Sequence, residues 1–175
     1  MQKIKSISLF VAFLVLVSTF CCSVIFVEAK DNGKINGEEH RNNISTVVQN
    51  LLNAADNEQG EIGDQIRVMA QQQNQSKDDI ANTIDKVNAR NGLKIFLIGL
   101  DYKNIGQLRS EIANTDNRID RLNTLLGKLE NSQDITTIQD QIKTLEENRQ
   151  KINDIVKANE SKFSLFGWFV KLFNK

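Results

Sequence analysis

The chain has 175 residues and no proline, and only 6% of its residues are aromatic, which disfavours a sheet protein built on tight turns. Its 22 basic and 22 acidic side chains cancel at pH 7, so no net positive field attracts nucleic acid. We therefore predict an all-α protein that does not bind nucleic acid.

The amino terminus has the pattern of an export signal. Two lysines precede an almost unbroken apolar run over residues 7–27, and the small side chain of Ala29 suits the last position before a signal-peptidase cut. We predict that residues 1–29 are a signal peptide or a membrane anchor, and that the protein is exported to the cell surface, a periplasm-facing membrane or the medium. The sequence is compatible with three outcomes: cleavage after Ala29, retention of the apolar run as an anchor, or lipidation of Cys21 or Cys22.

Residues 30–43 are polar, and we predict that they form a flexible leader. His40 is the only histidine and no cysteine follows residue 29, so we expect no metal site and a solvated imidazole near a helix start. Tyr102, the only tyrosine, has no evident catalytic partner either. We expect no cofactor, no metal and no enzymatic activity.

Residues 44–100 predict a helical region that ends in an apolar segment. Apolar side chains recur at helical spacing over 44–55, and the pattern returns over 61–89 around a polar run at 71–76. We predict one helix of about four turns and then one continuous helix with a weakly packed middle. Two short helices joined by a loop are the alternative. The apolar stretch 93–100 that follows is too short to span a bilayer.

The most regular pattern lies in residues 101–160. Over 105–129, and again over 135–156, apolar residues alternate at spacings of three and four, which is the period of a coiled-coil seam. A short polar link at 131–134 separates the two arms, and so short a link favours antiparallel pairing. We therefore predict an elongated all-α bundle built on an antiparallel coiled-coil hairpin.

Arg149 is the one charged residue on the seam of the second arm. Three roles are open to it on the sequence: a side chain that extends along the seam to reach solvent, an interhelical ion pair, or a device that fixes the register. The candidate partners for an ion pair on the facing arm are Glu111, Asp116 and Asp120. Seams of this regularity can also pair between chains, so the sequence permits a homo-oligomer.

Residues 161–175 predict a short amphipathic helix. Between Phe163 and Phe173, large apolar side chains cover roughly 220° of the helix circumference, and Lys171 and Lys175 lie on the remaining face. A cationic helix with a central tryptophan is typical of a membrane interface. The alternative is that the helix folds back and caps the core of the hairpin.

Antiparallel pairing brings the segment 93–100 and the amphipathic helix to the same end of the hairpin, which we call the base. We predict that the base contacts a membrane surface or a protein partner. The predicted contact residues are Leu93, Phe96, Leu97, Leu100, Phe163, Phe166, Trp168, Phe169, Lys171, Leu172, Phe173 and Lys175.

The lysine-led signal, the apolar run with Cys21 and Cys22, and the proline-free body rich in Asn, Lys and Ile resemble the small exported helical surface antigens of spirochaetes. The resemblance is one of composition, covers the chain in outline and includes no diagnostic motif. It implies that the protein binds host components.

Two functions are compatible with these patterns. The first is a non-enzymatic, exported, membrane-associated interaction protein that binds an unidentified protein partner through its helix faces. The second is a membrane-active protein, such as a helical pore former or a lysis accessory, whose base segments insert into lipid.

Overall fold

The computed structural model describes residues 35–58, 60–90 and 92–161, without the side chains of Phe96 and Leu97. These residues form five helices and no strand, which confirms the all-α prediction for this part of the chain. The helices are α1 (Gly37–Asn57), α2 (Glu61–Asn88), α3 (Gly92–Ile98), α4 (Tyr102–Leu126) and α5 (Ser132–Glu160).

The four long helices pack in a ring, in which α1 and α4 each contact both α2 and α5. Each helix turns an apolar face inward because its hydrophobic residues recur at the helical period. The inward faces build two clusters. The distal cluster consists of Ile44, Val47, Val48, Leu51, Ala54, Ala55, Ile66, Met69, Ala70, Ile119, Leu122, Leu125, Leu129, Ile138, Ile142 and Leu145. The basal cluster consists of Ile35, Ile80, Ile84, Val87, Ile105, Leu108, Ile152, Ile155 and Val156.

The chain direction alternates around the ring. Helices α1 and α4 run from the basal to the distal cluster, whereas α2 and α5 run back. Ion pairs between α4 and α5 follow this antiparallel register, because Arg109 pairs with Glu160 and Asp116 lies 3.2 Å from Arg149. Of the three roles that the sequence leaves open to Arg149, the structure shows the interhelical ion pair, and Asp116 is the partner.

Most seam residues of both arms are buried in a core that four helices share. Ile119 and Leu122 of α4 lie in the distal cluster with Ile142 of α5, and residues of α1 and α2 complete that cluster. The two arms are therefore one half of a bundle, and α1 and α2 supply the other half.

The prediction of a flexible leader is wrong for residues 35–43. Helix α1 begins at Gly37, where the Asn36 side chain accepts a hydrogen bond from the N–H of Glu39 at 2.8 Å. Gly37 donates its own N–H to the Asp85 carboxylate on α2 at 2.8 Å, and a Cβ in its place would stand 2.3 Å from that carboxylate. The close approach depends on an absent side chain, which apolar periodicity does not detect. The earlier part of the leader lies outside the described residues.

Helix α2 runs without a break through the polar run 71–76, which confirms the continuous helix. Its middle is not weakly packed, however, because Gln73 is fully buried. The predicted turn at 131–134 is displaced by several residues. Residues 127–131 form the link, and Asn131 caps α5 by accepting a hydrogen bond from the N–H of Gln133 at 2.9 Å.

Candidate functional site

The first and last described residues lie at the same end of the bundle. Ile35 and Val156 both belong to the basal cluster, and Leu100 packs against it. Leu100, the last residue of the apolar segment 93–100, thus lies at the same end as the carboxyl-terminal part of α5, whereas the predicted amphipathic helix lies outside the described residues. The described part of the bundle therefore begins and ends at this base.

Three large apolar side chains at the base face solvent. Leu93 is 66% exposed, Ile98 72% and Tyr102 74%. In the described ranges the other exposed large hydrophobic residue is Val68, at 42%. Ile95 of α3 is buried, whereas Leu93 and Ile98 of the same helix are exposed to water.

Polar contacts fix the segment that joins α3 to α4. The Arg90 guanidinium donates to the carbonyl oxygen of Gly99 at 2.9 Å and lies 3.4 Å from the Asp101 carboxylate. Asp101 caps α4 by accepting hydrogen bonds from the backbone and side chain of Asn104. A depression of about 440 Å³ lies here, lined by Lys86, Ala89, Arg90, Lys94, Ile98, Asp101 and Asn104. The base therefore combines exposed apolar side chains with cationic ones.

The structure describes only some of the predicted contact residues. Leu93 is exposed, and Leu100 is half-buried against the basal cluster. The side chains of Phe96 and Leu97, and all predicted contact residues in 163–175, lie outside the described part of the chain.

Sequence reasoning missed Ile98 and Tyr102 as exposed members of the base. Ile98 was inside the apolar segment 93–100, and Tyr102 follows it by two positions. The available signal was this adjacency, since an amphipathic aromatic residue beside an apolar stretch is typical of an interface.

A layer of buried polar side chains separates the two hydrophobic clusters. Arg118 of α4 donates from one nitrogen to Gln73 of α2 at 3.0 Å and to Glu111 of α4 at 2.9 Å. The hydroxyls of Ser76 and Thr115 donate to the same Glu111 oxygen at 3.3 and 3.5 Å. These contacts offset part of the cost of burying the two charges. The layer also favours one register of α2 on α4, because a shift would leave a buried charge without its partner.

His40 of α1 is buried between the same two clusters, facing α5. Burial lowers the pKa of the imidazole from 6.5 to about 4; contact with the Asn148 side chain opposes this shift, and the charge of Arg41 adds to it. Neither ring nitrogen, and neither amide atom of Asn148, has a hydrogen-bond partner of normal geometry among the described residues. The prediction of a solvated His40 is wrong, because α1 begins before this residue and carries it into the core.

No family model, curated protein or solved structure matches the chain. Within residues 35–58, 60–90 and 92–161, no three His, Cys, Asp or Glu side chains are grouped so that they could hold a metal ion. Of the helices described, none has both the length and the apolar character needed to cross a bilayer. The base and the buried polar layer are the features from which a function can be inferred.

Proposed function

We propose that the protein is a non-enzymatic, exported, membrane-associated helical interaction protein. The observation that carries the proposal is the exposure of Leu93, Ile98 and Tyr102 at the base, where the described part of the bundle begins and ends. Exposed apolar side chains gathered in one place are typical of a surface that meets lipid or a partner. The cationic residues beside them favour an anionic membrane surface.

Three apolar side chains do not suffice for stable attachment. Burial of one such side chain contributes about 2 kcal/mol, so the base gains roughly 6 kcal/mol before the cost of ordering at the membrane. Stable attachment therefore needs a second contact. We propose that the amphipathic helix 161–175 supplies it, together with residues 1–29 if they are retained.

The long helices would then extend away from the membrane. Helix α4 has 25 residues, so the link at 127–131 would stand roughly 38 Å from its start. We propose that α4 and α5 pair as a coiled-coil hairpin within the bundle, and that an unidentified protein partner binds the polar outer faces of the helices.

Vesicle flotation tests the role of the base. The chain without residues 1–29 is mixed with phosphatidylcholine vesicles that contain phosphatidylserine, and bound protein is compared between wild type and the variant Leu93→Ser/Ile98→Ser/Tyr102→Ser. Val68→Ser is the matched control, because it removes the exposed apolar side chain of α2. We expect the triple variant to lose binding and the control to keep it. Equal binding by all three proteins would contradict a contact through the base.

Release of a dye from the same vesicles distinguishes the interaction protein from the membrane-active alternative. Binding without release supports the interaction protein. Release that the triple variant abolishes would favour a pore former or lysis accessory instead. A pull-down on vesicle-bound protein that recovers nothing from the extracellular milieu would count against a protein partner.

A further inference from the structure

A second surface feature lies far from α3, on the flank of the bundle between α2 and α4. It is a hollow of about 290 Å³, lined by Gln72, Asn114, Asn117, Arg118 and Arg121. Every lining residue is polar, and the set consists of three carboxamides and two guanidiniums. An apolar ligand would leave these groups without hydrogen bonds, so the hollow suits a polar ligand.

Arg118 is held in position before any ligand arrives. It is 8% exposed, and its interactions with Gln73 and Glu111 in the buried polar layer fix the guanidinium. Glu111 also balances its charge. A guanidinium that is already immobilised loses little conformational entropy when a ligand binds.

Arg121 supplies the charge of the site. It lies on the same face of α4 as Arg118 and Asn117, since side chains three and four positions apart are neighbours on a helix. Arg121 is exposed, and it pairs with no carboxylate of the residues that the structure describes. The hollow therefore carries one positive charge that forms no ion pair within the described part of the chain.

We propose that this hollow binds the carboxylate group of a small polar acid, either a free molecule or an acidic side chain of a protein partner. A carboxylate brings one negative charge, and its two oxygens match the fork of a guanidinium. The three carboxamides can donate to, or accept from, the polar groups that adjoin the carboxylate. The volume is near the lower limit for small-molecule sites, which fits a short acid or one side chain.

This site does not depend on the base. Its lining residues lie on α2 and α4 and include none of the exposed apolar residues of α3. Failure of the carboxylate proposal would leave the membrane proposal standing, and the reverse is equally true.

Titration of the full-length protein in a neutral detergent with sodium glutarate tests the proposal, with side-chain N–H signals in NMR spectra as the readout. Glutarate is expected to shift the signals of Arg121, Asn114 and Asn117. Arg121→Gln is expected to weaken binding about tenfold or more, as for a lost charge-assisted hydrogen bond. Lys143→Gln is the matched control, because Lys143 is an exposed cation on α5, which contributes nothing to the hollow.

The outcomes separate the alternatives. Loss of binding in Arg121→Gln but not in Lys143→Gln supports the site. Equal weakening of glutarate binding in both variants would show attraction by overall charge and would overturn the proposal. Absence of binding at tens of millimolar glutarate, or tighter binding of sulfate than of glutarate, would overturn it as well. Dimethyl glutarate, which has no charge, is expected not to bind. If the site is present, a glutamate-containing peptide that binds more tightly than glutarate identifies a protein partner as the source of the carboxylate, whereas weaker binding identifies a free acid.

Discussion

Replacement of His40 by glutamine tests the buried polar layer through the pH dependence of stability. The folded pKa of His40 is about 4, against an ordinary value of 6.5. Below pH 6.5 the imidazole therefore takes up a proton in the unfolded chain but stays neutral in the folded chain, so the free energy of unfolding decreases as the pH drops toward 4. This pKa shift lowers the free energy of unfolding by about 3 kcal/mol in total, and about 2 kcal/mol of that decrease has occurred by pH 5. His40→Gln removes this loss because glutamine does not titrate.

The charged groups around His40 do not reverse the sign. Arg41 neighbours it on α1, and its positive charge lowers the pKa further. The nearby cation of α5, Lys151, pairs with Glu39, and Arg41 itself pairs with Asp78 on α2. No carboxylate pairs with the imidazole among the described residues.

Urea unfolding is followed by far-ultraviolet circular dichroism at neutral pH and near pH 5. The difference between the two free energies of unfolding is the stability that each protein loses on acidification. Carboxylates titrate in both proteins alike, so the difference between wild type and His40→Gln isolates the histidine. We expect wild type to lose about 2 kcal/mol more than the variant. Because the chain has one histidine, its ring proton signals report the folded pKa directly. Equal losses in the two proteins, or a ring pKa near 6.5, would refute burial of a neutral His40.

Three further predictions concern packing. Gly37→Ala is expected to lower the free energy of unfolding in urea by more than about 1 kcal/mol, because the added Cβ collides with the Asp85 carboxylate. Gly106→Ala is the control; nothing lies within 4 Å of its added Cβ, and the substitution should stabilise the protein by about 0.5–1 kcal/mol. Equal effects of the two substitutions would contradict the close approach at Gly37. Arg118→Met is expected to cost about 3–5 kcal/mol because buried Glu111 loses its partner, and adding Glu111→Leu should recover part of that loss if the pair is buried. Sedimentation equilibrium is expected to show a monomer for the chain without residues 1–29, because the seams are filled within one chain. A stable oligomer would imply exchange of helices.

Local periodicity was sufficient to predict most of the helices. The alternation of three and four over 105–129 and 135–156 anticipated α4 and α5, and the pattern over 61–89 anticipated α2 within a residue or two. Such patterns work because a helix is stabilised in a protein by the burial of one regular apolar face. The same reasoning gave an ion pair with the facing arm as one of three roles for Arg149 and included Asp116, the observed partner, among the candidate acids.

The errors occurred where burial depends on a residue far away in the chain. Residues 35–43 looked like a leader because their helix is held by Gly37 against Asp85, which lies 48 positions later. Gln73 looked weakly packed because its partner, Arg118, lies 45 positions away. Neither contact produces a periodic pattern along the chain, so a short window of sequence could not reveal it.

The amino-acid sequence by itself determined which segments are helical and which helix faces are apolar, because both follow from the spacing of apolar residues along the chain. Only the packing of the four helices decided that polar residues from all of them meet in the interior and that Leu93, Ile98 and Tyr102 are left in water. The packing also decided that Arg121 borders a hollow and forms no ion pair with a described acid. Those outcomes depend on which surfaces the neighbouring helices cover, and that is settled by shape and charge between distant segments rather than within any of them.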